Sequence, residues 1–484
     1  MELLNASWQQ LSKRANCTEP KICRFENTFN NFGLHSRFLL LAVHPAEVLT
    51  EENTSWLKDL ANEASPSFIV FGLLEIFLVK VLQGRWPQLG EYLPNMYNGV
   101  ALQTIRFAFH TAEFYFYKWV YDQWHWTYAD TIDWKSWPAW ITLTIVLDFC
   151  YYIFHRCAHE MAVFWTMHQV HHSSEFFNLS VSFRIPHLHD FVHSGAFYLP
   201  LALLGVPVEV TFVNKTLNLV YQFWTHTELI PKLPWPIEFI FNTPSHHRVH
   251  HARQAKYLDK NYGSFLIIWD RIFGTFCEEE EQPIYGLTTP QRSLNFIYYQ
   301  YIGFLELYYK VRSMKGWKNR LQCIIKGPGW EPGSPWTGDP AKVPTPDPSD
   351  RPVLHQLAWF WQVFLSFDFV FSLALFSNVL LRYDQIPYVV FIVAIIFWHI
   401  QGFCLARALE GDPLAALFQV VKFASVCLLS KSAWSIFGRF SPAERLILNV
   451  SGLLASALYV AACINIFCVL THGPLSKTDK LKLH

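Results

Sequence analysis

Thirteen of the chain's 21 histidines fall between His155 and His251, where even scattering would put about four. They are grouped: His155 and His159 as H-x-x-x-H, His168, His171 and His172 as H-x-x-H-H, and His247, His250 and His251 as H-x-x-H-H again. On a helix, side chains three and four residues apart share a face, with Cβ atoms about 5–6 Å apart, so each group can aim two imidazoles at one point. The adjacent pair in each H-x-x-H-H diverges by roughly 100° around the helix axis, so its two rings need not meet the same ion. These eight side chains suit a dinuclear centre, with about four ligands to each ion and positions left open.

A lone histidine on an apolar face is more often a hydrogen-bonded core residue than a ligand. Three clustered groups reverse that balance, because burying so many imidazoles is costly unless something binds them. Imidazole suits zinc, iron, copper or nickel, and ligand type alone does not choose among them. Two carboxylates complete the candidate site. Asp148 precedes His155 by seven residues, nearly the same face of a continuing helix, and Glu160 directly follows His159. Carboxylates beside ligating imidazoles commonly accept the distal N–H; the alternative is that each is an ordinary polar cap.

The elements that must hold these groups are membrane helices. Of 484 residues, 52% are hydrophobic, 17% aromatic and only 16% charged, which excludes a disordered chain and argues against an ordinary soluble domain. Lys+Arg and Asp+Glu both number 38, which removes the bulk electrostatic case for nucleic-acid binding. Residues 66–84 and 136–154 can each cross about 30 Å of hydrocarbon as a helix. Residues 98–121 carry Arg106, His110 and Glu113 at helical spacing, so they span only if that stripe faces other helices. From Phe191 to Trp224 the apolar run breaks at Gly205–Pro207, which predicts a helical hairpin. Four further apolar blocks, near 357–381, 387–408, 414–429 and 446–471, bring the expectation to eight to ten membrane segments in an all-α, multi-spanning protein.

The expected organisation is an N-terminal, lumenal segment over 1–65, a catalytic membrane domain over 66–300, a basic and proline-rich linker over 301–353, C-terminal transmembrane helices over 354–475 and a cytosolic tail over 476–484. The linker holds eight prolines between Pro328 and Pro352. The basic group from Lys310 to Lys326 places this side, and the histidines beside it, toward the cytosol, near anionic headgroups or simply as a solvated charged face. Residues 1–35 lack the apolar core of a cleavable signal peptide. Asn5, Asn16 and Asn53 begin N-x-S/T triplets, and Cys17 and Cys23 can close a disulfide loop, if that end is lumenal. Lys480 and Lys482 stand five and three places from the end, as in the dilysine retrieval signal of endoplasmic reticulum membrane proteins.

At these residues the sequence resembles the fatty acid hydroxylase superfamily of membrane di-iron enzymes. The resemblance runs from Asp148 to Phe276. It is carried by DFCYYIFHR from Asp148, HQVHHSSEFFNLSVSFR from His168, FWTHTE from Phe223, NTPSHHRVHH from Asn242 and DKNYGSFLIIWDRIFGTF from Asp259. Within the superfamily, these phrases and the C-terminal apolar extension are most like the branch that cleaves alkylglycerol ethers. Position by position, the resemblance implies that His155, His159, His168, His171, His172, His247, His250 and His251 are iron ligands, with His226 of FWTHTE a ninth. His246 is either a ligand or a supporting donor, and His187, His189 and His193 depart from the family pattern and are not assigned to metal.

The implied reaction is hydroxylation of the ether-linked carbon of an alkylglycerol or lyso-ether lipid, with dioxygen and tetrahydrobiopterin. The hemiacetal then falls apart into a fatty aldehyde and a glycerol derivative. No residue marks a pterin site. The chain has no glycine-rich dinucleotide fingerprint, so reducing equivalents come from outside, with a pterin-recycling enzyme as an indirect partner. Two alternatives remain. One is a sterol desaturase or other lipid hydroxylase fed by a separate reductase. The other is a divalent metal transporter, although no repeated half is visible.

Overall fold

A computed structural model describes residues 36–50 (except 42), 64–188, 197–347 (except 292), 359–381 and 388–419 (except 413 and 416). The glycosylation triplets, the Cys17–Cys23 loop, His189, His193, the apolar blocks beyond 419 and the dilysine tail lie outside the described residues. Among the described residues every regular element is a helix, with only isolated bridges between extended segments.

Helix α1, Ser65–Gln83, begins with Pro66 in its first turn and stops at Gly84, whose φ of 73° is the left-handed conformation a glycine adopts without a Cβ penalty. Its faces are the reverse of a soluble helix. Ile69, Leu73 and Phe77 are more than half exposed, whereas Ser67 and Glu75 are buried. An apolar outer face around a polar inner one is what a hydrocarbon solvent selects. Helix α2, Leu89–Trp124, is 36 residues long and meets the helices that follow. Its Glu113 is buried in a 2.9 Å ion pair with Lys215, which turns part of the polar stripe inward; the side chains of Arg106 and His110 are outside the described residues.

Helix α3, Trp137–Glu160, again shows isoleucines outward (Ile141, Ile145, Ile153), while Leu143, Leu147, Asp148, Tyr151, His155 and His159 form the buried stripe at helical spacing. The chain kinks at Met161, in extended conformation, and restarts as α4, Ala162–His172. The second arm of the expected hairpin is short. Leu199–Leu203 turns at Gly205 into α5, Val208–Tyr221, whose 14 residues would rise only about 21 Å, less than the hydrocarbon thickness. Gly205 has φ 83°, and a Cβ there would collide with Ala129 and the Trp126 carbonyl.

Helix α6, Pro244–His250, carries the last histidine group. Helices α7, Phe296–Ser313, and α8, Trp317–Ile325, correct the linker expectation. They dock on the histidine-bearing helices. Gly303 sits against the Thr166 carbonyl and Gln169, the Ala162 amide donates to Lys326 O at 2.7 Å, and the Trp336 indole donates to Glu160 O at 2.7 Å. Residues 301–347 are therefore a buttress for the α3–α4 joint. Helices α9, Trp359–Leu381, and α10, Tyr388–Leu409, pack against α2, and the Trp398 indole donates to Tyr97 O at 3.1 Å. Among the described residues three helices are long and apolar enough to cross a membrane: α1, α3 and Phe391–Leu409 within α10. The protein is an all-helical membrane protein.

Candidate metal centre

Nine imidazoles converge from four places: α3, α4, the turn after α5, and α6 with its C-cap. They form two groups. His155, His159, His168, His172 and His250 make the first; His171, His226, His247 and His251 make the second; within each, one nitrogen per ring lies within 4.8 Å of all the others. Pairs four residues apart stay together (155 with 159, 168 with 172, 247 with 251), whereas His171 and His250 each leave a partner three residues away for the other group. Helical geometry accounts for this, since four residues return to within about 40° of the starting direction and three fall about 60° short. The adjacent histidines diverge as the spacing predicts. The two groups touch where the His172 and His251 rings stack at 4.4 Å.

The nitrogens face one another. His155 Nε2 is 2.9 Å from His168 Nε2, which is 3.2 Å from His172 Nε2. In the second group, His226 Nε2 is 3.2 Å from His171 Nε2 and 2.9 Å from His247 Nε2, which is 3.2 Å from His251 Nε2. Two nitrogens bound to one ion at about 2.1 Å with a right angle between them lie about 3.0 Å apart, so these separations are edges of a coordination polyhedron. The Nε2 atoms of His159 and His250 are buried with no hydrogen-bond partner. Such orphaned acceptors are costly unless a ligand or ion satisfies them. The donor set fits a transition-metal ion in each group.

Burial and the neighbouring imidazoles push His172, His247, His250 and His251 well below the ordinary histidine range, and burial takes His226 down to about 4. These rings are neutral at pH 7, the form that binds metal.

What orients the rings differs from the sequence expectation. His155 Nδ1 lies 2.8 Å from Tyr262 O, His250 Nδ1 2.9 Å from Lys260 O and His226 Nδ1 2.8 Å from Gln222 O. Backbone carbonyls, not carboxylates, accept the distal N–H. Asp148 is a correction in this respect. It touches no histidine and accepts from the Phe265 and Leu266 amides (2.8 and 3.0 Å), the Trp269 indole (3.0 Å) and Asn218 (3.0 Å). Glu160 is a second correction, since its carboxylate accepts from Arg156 Nε at 2.9 Å rather than from a histidine.

Sequence reasoning missed Asp270, whose carboxylate accepts from the Tyr262 and Gly263 amides at 2.8 and 2.7 Å. Asp148 and Asp270 thus fix the loop whose Tyr262 carbonyl aims His155. It also missed Asp259, whose carboxylate is 3.8 Å from His159 Nδ1. His246 joins neither group. Its Nε2 is 2.8 Å from Glu238 Oε2, which anchors the start of α6. His187 stands apart against His399, ring centroids 6.0 Å apart. Nothing in the residue types distinguished these acids from any other polar residue.

A family model described as Fatty acid hydroxylase matches residues 140–275, which contain all nine imidazoles. The alkylglycerol monooxygenase of Danio rerio is 38% identical over 357 residues, 72% of this chain and 76% of its own length. That of Homo sapiens is 33% identical over 407 residues, 84% of this chain and 89% of its own. The chain belongs to the alkylglycerol monooxygenase family. A more distant likeness, 31% over 132 residues, is to the ornithine lipid hydroxylase OlsE of Rhizobium tropici, covering 27% of this chain and 40% of that one. No solved structure matches. As a family member the protein is a lipid-hydroxylating monooxygenase, and its likeness to alkylglycerol monooxygenases extends well beyond the histidine region shared with other hydroxylases.

Proposed function

We propose that the two imidazole groups each hold one iron ion and that the enzyme hydroxylates the ether-linked carbon of alkylglycerols, using dioxygen with tetrahydrobiopterin as reductant. The carrying observation is the division of nine inward-facing imidazoles into groups of five and four. Imidazole-only sites suit iron among other metals, and membership of a hydroxylase family favours iron over zinc. When bound, the ions supply the activation of dioxygen that protein side chains cannot.

The chain supplies position and proton control. Carbonyls of Tyr262, Lys260 and Gln222 hold the Nδ1 protons of His155, His250 and His226, which keeps each Nε2 a bare donor toward the centre. An aromatic wall stands beside the second group: Phe177 lies 5.2 Å from His251 and 5.7 Å from His226, and Tyr285 stacks on it at 4.8 Å. Such a wall excludes water and suits an alkyl chain arriving from the bilayer. In the overall reaction the ether CH2 and dioxygen, with two electrons and two protons from the tetrahydropterin, give the hemiacetal and water. The hemiacetal C–O bond then breaks to release aldehyde and glycerol derivative.

We place the histidine face toward the cytosol in the endoplasmic reticulum membrane, on the basic group before the prolines and the Lys480 and Lys482 tail. The test is metal analysis of the purified protein coupled to an ether-cleavage assay. Two irons per chain and pterin-dependent aldehyde release from 1-O-alkylglycerol support the reading. Bound zinc without iron, or aldehyde release independent of pterin, defeats it. Deleting the last five residues should release the protein from the endoplasmic reticulum, and unchanged location would discard the retrieval signal.

A further inference from the structure

Helices α7 and α8 are not among the three able to cross a membrane, yet each carries an exposed apolar stripe. On α8, Trp317, Leu321 and Ile325 are 70%, 47% and 38% exposed and fall within about 80° of one another around the axis, while Cys323 on the far side is buried. Lys318 and Arg320 flank that stripe, one on each side. On α7, Tyr301, Tyr308 and Tyr309 are exposed, opposite the buried Phe296, Tyr299 and Gly303. From Leu307 to Trp330 the chain has six cations and no acid. Arg312, Lys315, Lys318 and Arg320 are exposed and enter no ion pair among the described residues.

The depth of this surface follows from its attachment. Helix α3 has 24 residues and rises about 36 Å, more than the ~30 Å of hydrocarbon, so its last turn at Glu160 stands at headgroup level. The segment that ends α8 is fastened there, since Lys326 O accepts from the Ala162 amide and the Trp336 indole donates to Glu160 O, both at 2.7 Å. Exposed tyrosine and tryptophan beside lysine and arginine are the composition of a membrane–water boundary. A short helix with an apolar stripe between cations lies in that plane, the stripe among acyl chains and the long basic side chains reaching up to the headgroups. A merely solvated face would leave Trp317, Leu321 and Ile325 in water, and an acidic protein partner would need a surface standing clear of the bilayer, which attachment to the end of α3 does not provide.

We propose that α8 and the end of α7 form an in-plane anchor that binds anionic phospholipid, with Trp317, Leu321 and Ile325 among the acyl chains and Arg312, Lys315, Lys318 and Arg320 against the charged headgroups. Excess positive charge at that depth selects acidic over zwitterionic lipid. The proposal is independent of which lipid the enzyme hydroxylates.

The test is photocrosslinking of the full-length protein in phosphatidylcholine nanodiscs containing about one-fifth phosphatidylserine, with p-benzoylphenylalanine in place of Leu321 and the adducts identified by mass spectrometry. Lipid adducts should form, with phosphatidylserine at about three times its share of the bilayer or more. The double variant Lys315→Gln with Lys318→Gln should bring that share back to the bulk composition while lipid adducts persist; Arg320 is left in place because it also donates to Met314 O at 3.1 Å. If the Leu321 substitution prevents folding, the same probe at the more exposed Trp317 replaces it. Adducts to a second copy of the chain or to another protein, or no adduct from either position, overturn the anchor. Phosphatidylserine at its bulk share with the lysines intact, or enrichment unchanged without them, overturns the selection of anionic lipid by this surface.

Discussion

His171 and His172 are neighbours in the chain, yet their rings stand at 88° and serve different groups: His172 Nε2 meets His168 at 3.2 Å, and His171 Nε2 meets His226 at 3.2 Å. One turn of α4 therefore contributes to both centres. The same division recurs at His250 and His251, so α4 and α6 each bridge the pair.

Substitution should reveal this division. His250→Ala removes a member of the first group, and His171→Ala a member of the second. Each variant should lose at least half of its bound iron and more than 99% of turnover while remaining in the membrane, read by metal analysis and the aldehyde assay on the same preparation. Full activity in either variant would contradict a ligand role.

The two carboxylates flanking the first group should behave differently. Glu160→Gln breaks a partly exposed pair with Arg156, which is worth at most about 1 kcal/mol, so turnover should fall less than tenfold with iron retained. Asp148→Ala strips acceptors from two amides, an indole and an asparagine, at a cost of about 3 kcal/mol or more. Thermal unfolding should show a clear drop in Tm, with iron loss following the loosened Tyr262 carbonyl.

Lys215 and Glu113 are each 2% exposed in their side chains and pair at 2.9 Å between α5 and α2. Removing one partner strands a buried charge, so Lys215→Met alone should destabilise by about 3–5 kcal/mol. The double variant Glu113→Gln with Lys215→Met should recover a good part of that loss. Equal destabilisation of the single and double variants would show that the pair is not coupled.

Acid should act through Glu238. Burial alone would raise its pKa, but the His246 contact, the Leu233 amide and Ser245 override it and hold the carboxyl down to about 2. An acid depressed on folding stabilises fully above its unfolded value of 4.5, and that contribution is lost as pH falls from 4.5 toward 2. At about 1.4 kcal/mol per unit it amounts to about 3 kcal/mol. Chemical denaturation between pH 5 and 3 should therefore show a shallower loss of stability in Glu238→Gln than in wild type.

The sequence by itself determined the class of protein and singled out the imidazoles that converge. Apolar blocks as long as a bilayer is thick show in composition, and imidazoles three and four residues apart point to a metal because few other uses justify burying them. Helical periodicity even foretold that His171 and His172 would part. Which rings share a group was a matter for the tertiary structure, because His155 and His168, or His226 and His247, meet only when separate helices pack. The roles of the acids were also decided there. Seven residues from His155 on a helix, Asp148 shares its face but ends two turns away, beyond reach of the ring, and the Phe265 and Leu266 amides come to it from more than a hundred residues downstream. Backbone carbonyls that aim imidazoles leave no mark in residue type, since every residue has one. Nor could the prolines after Pro328 disclose that the chain before and between them is folded back onto α3 and α4, because docking depends on complementary surfaces such as Gly303 against Thr166 and not on local propensity.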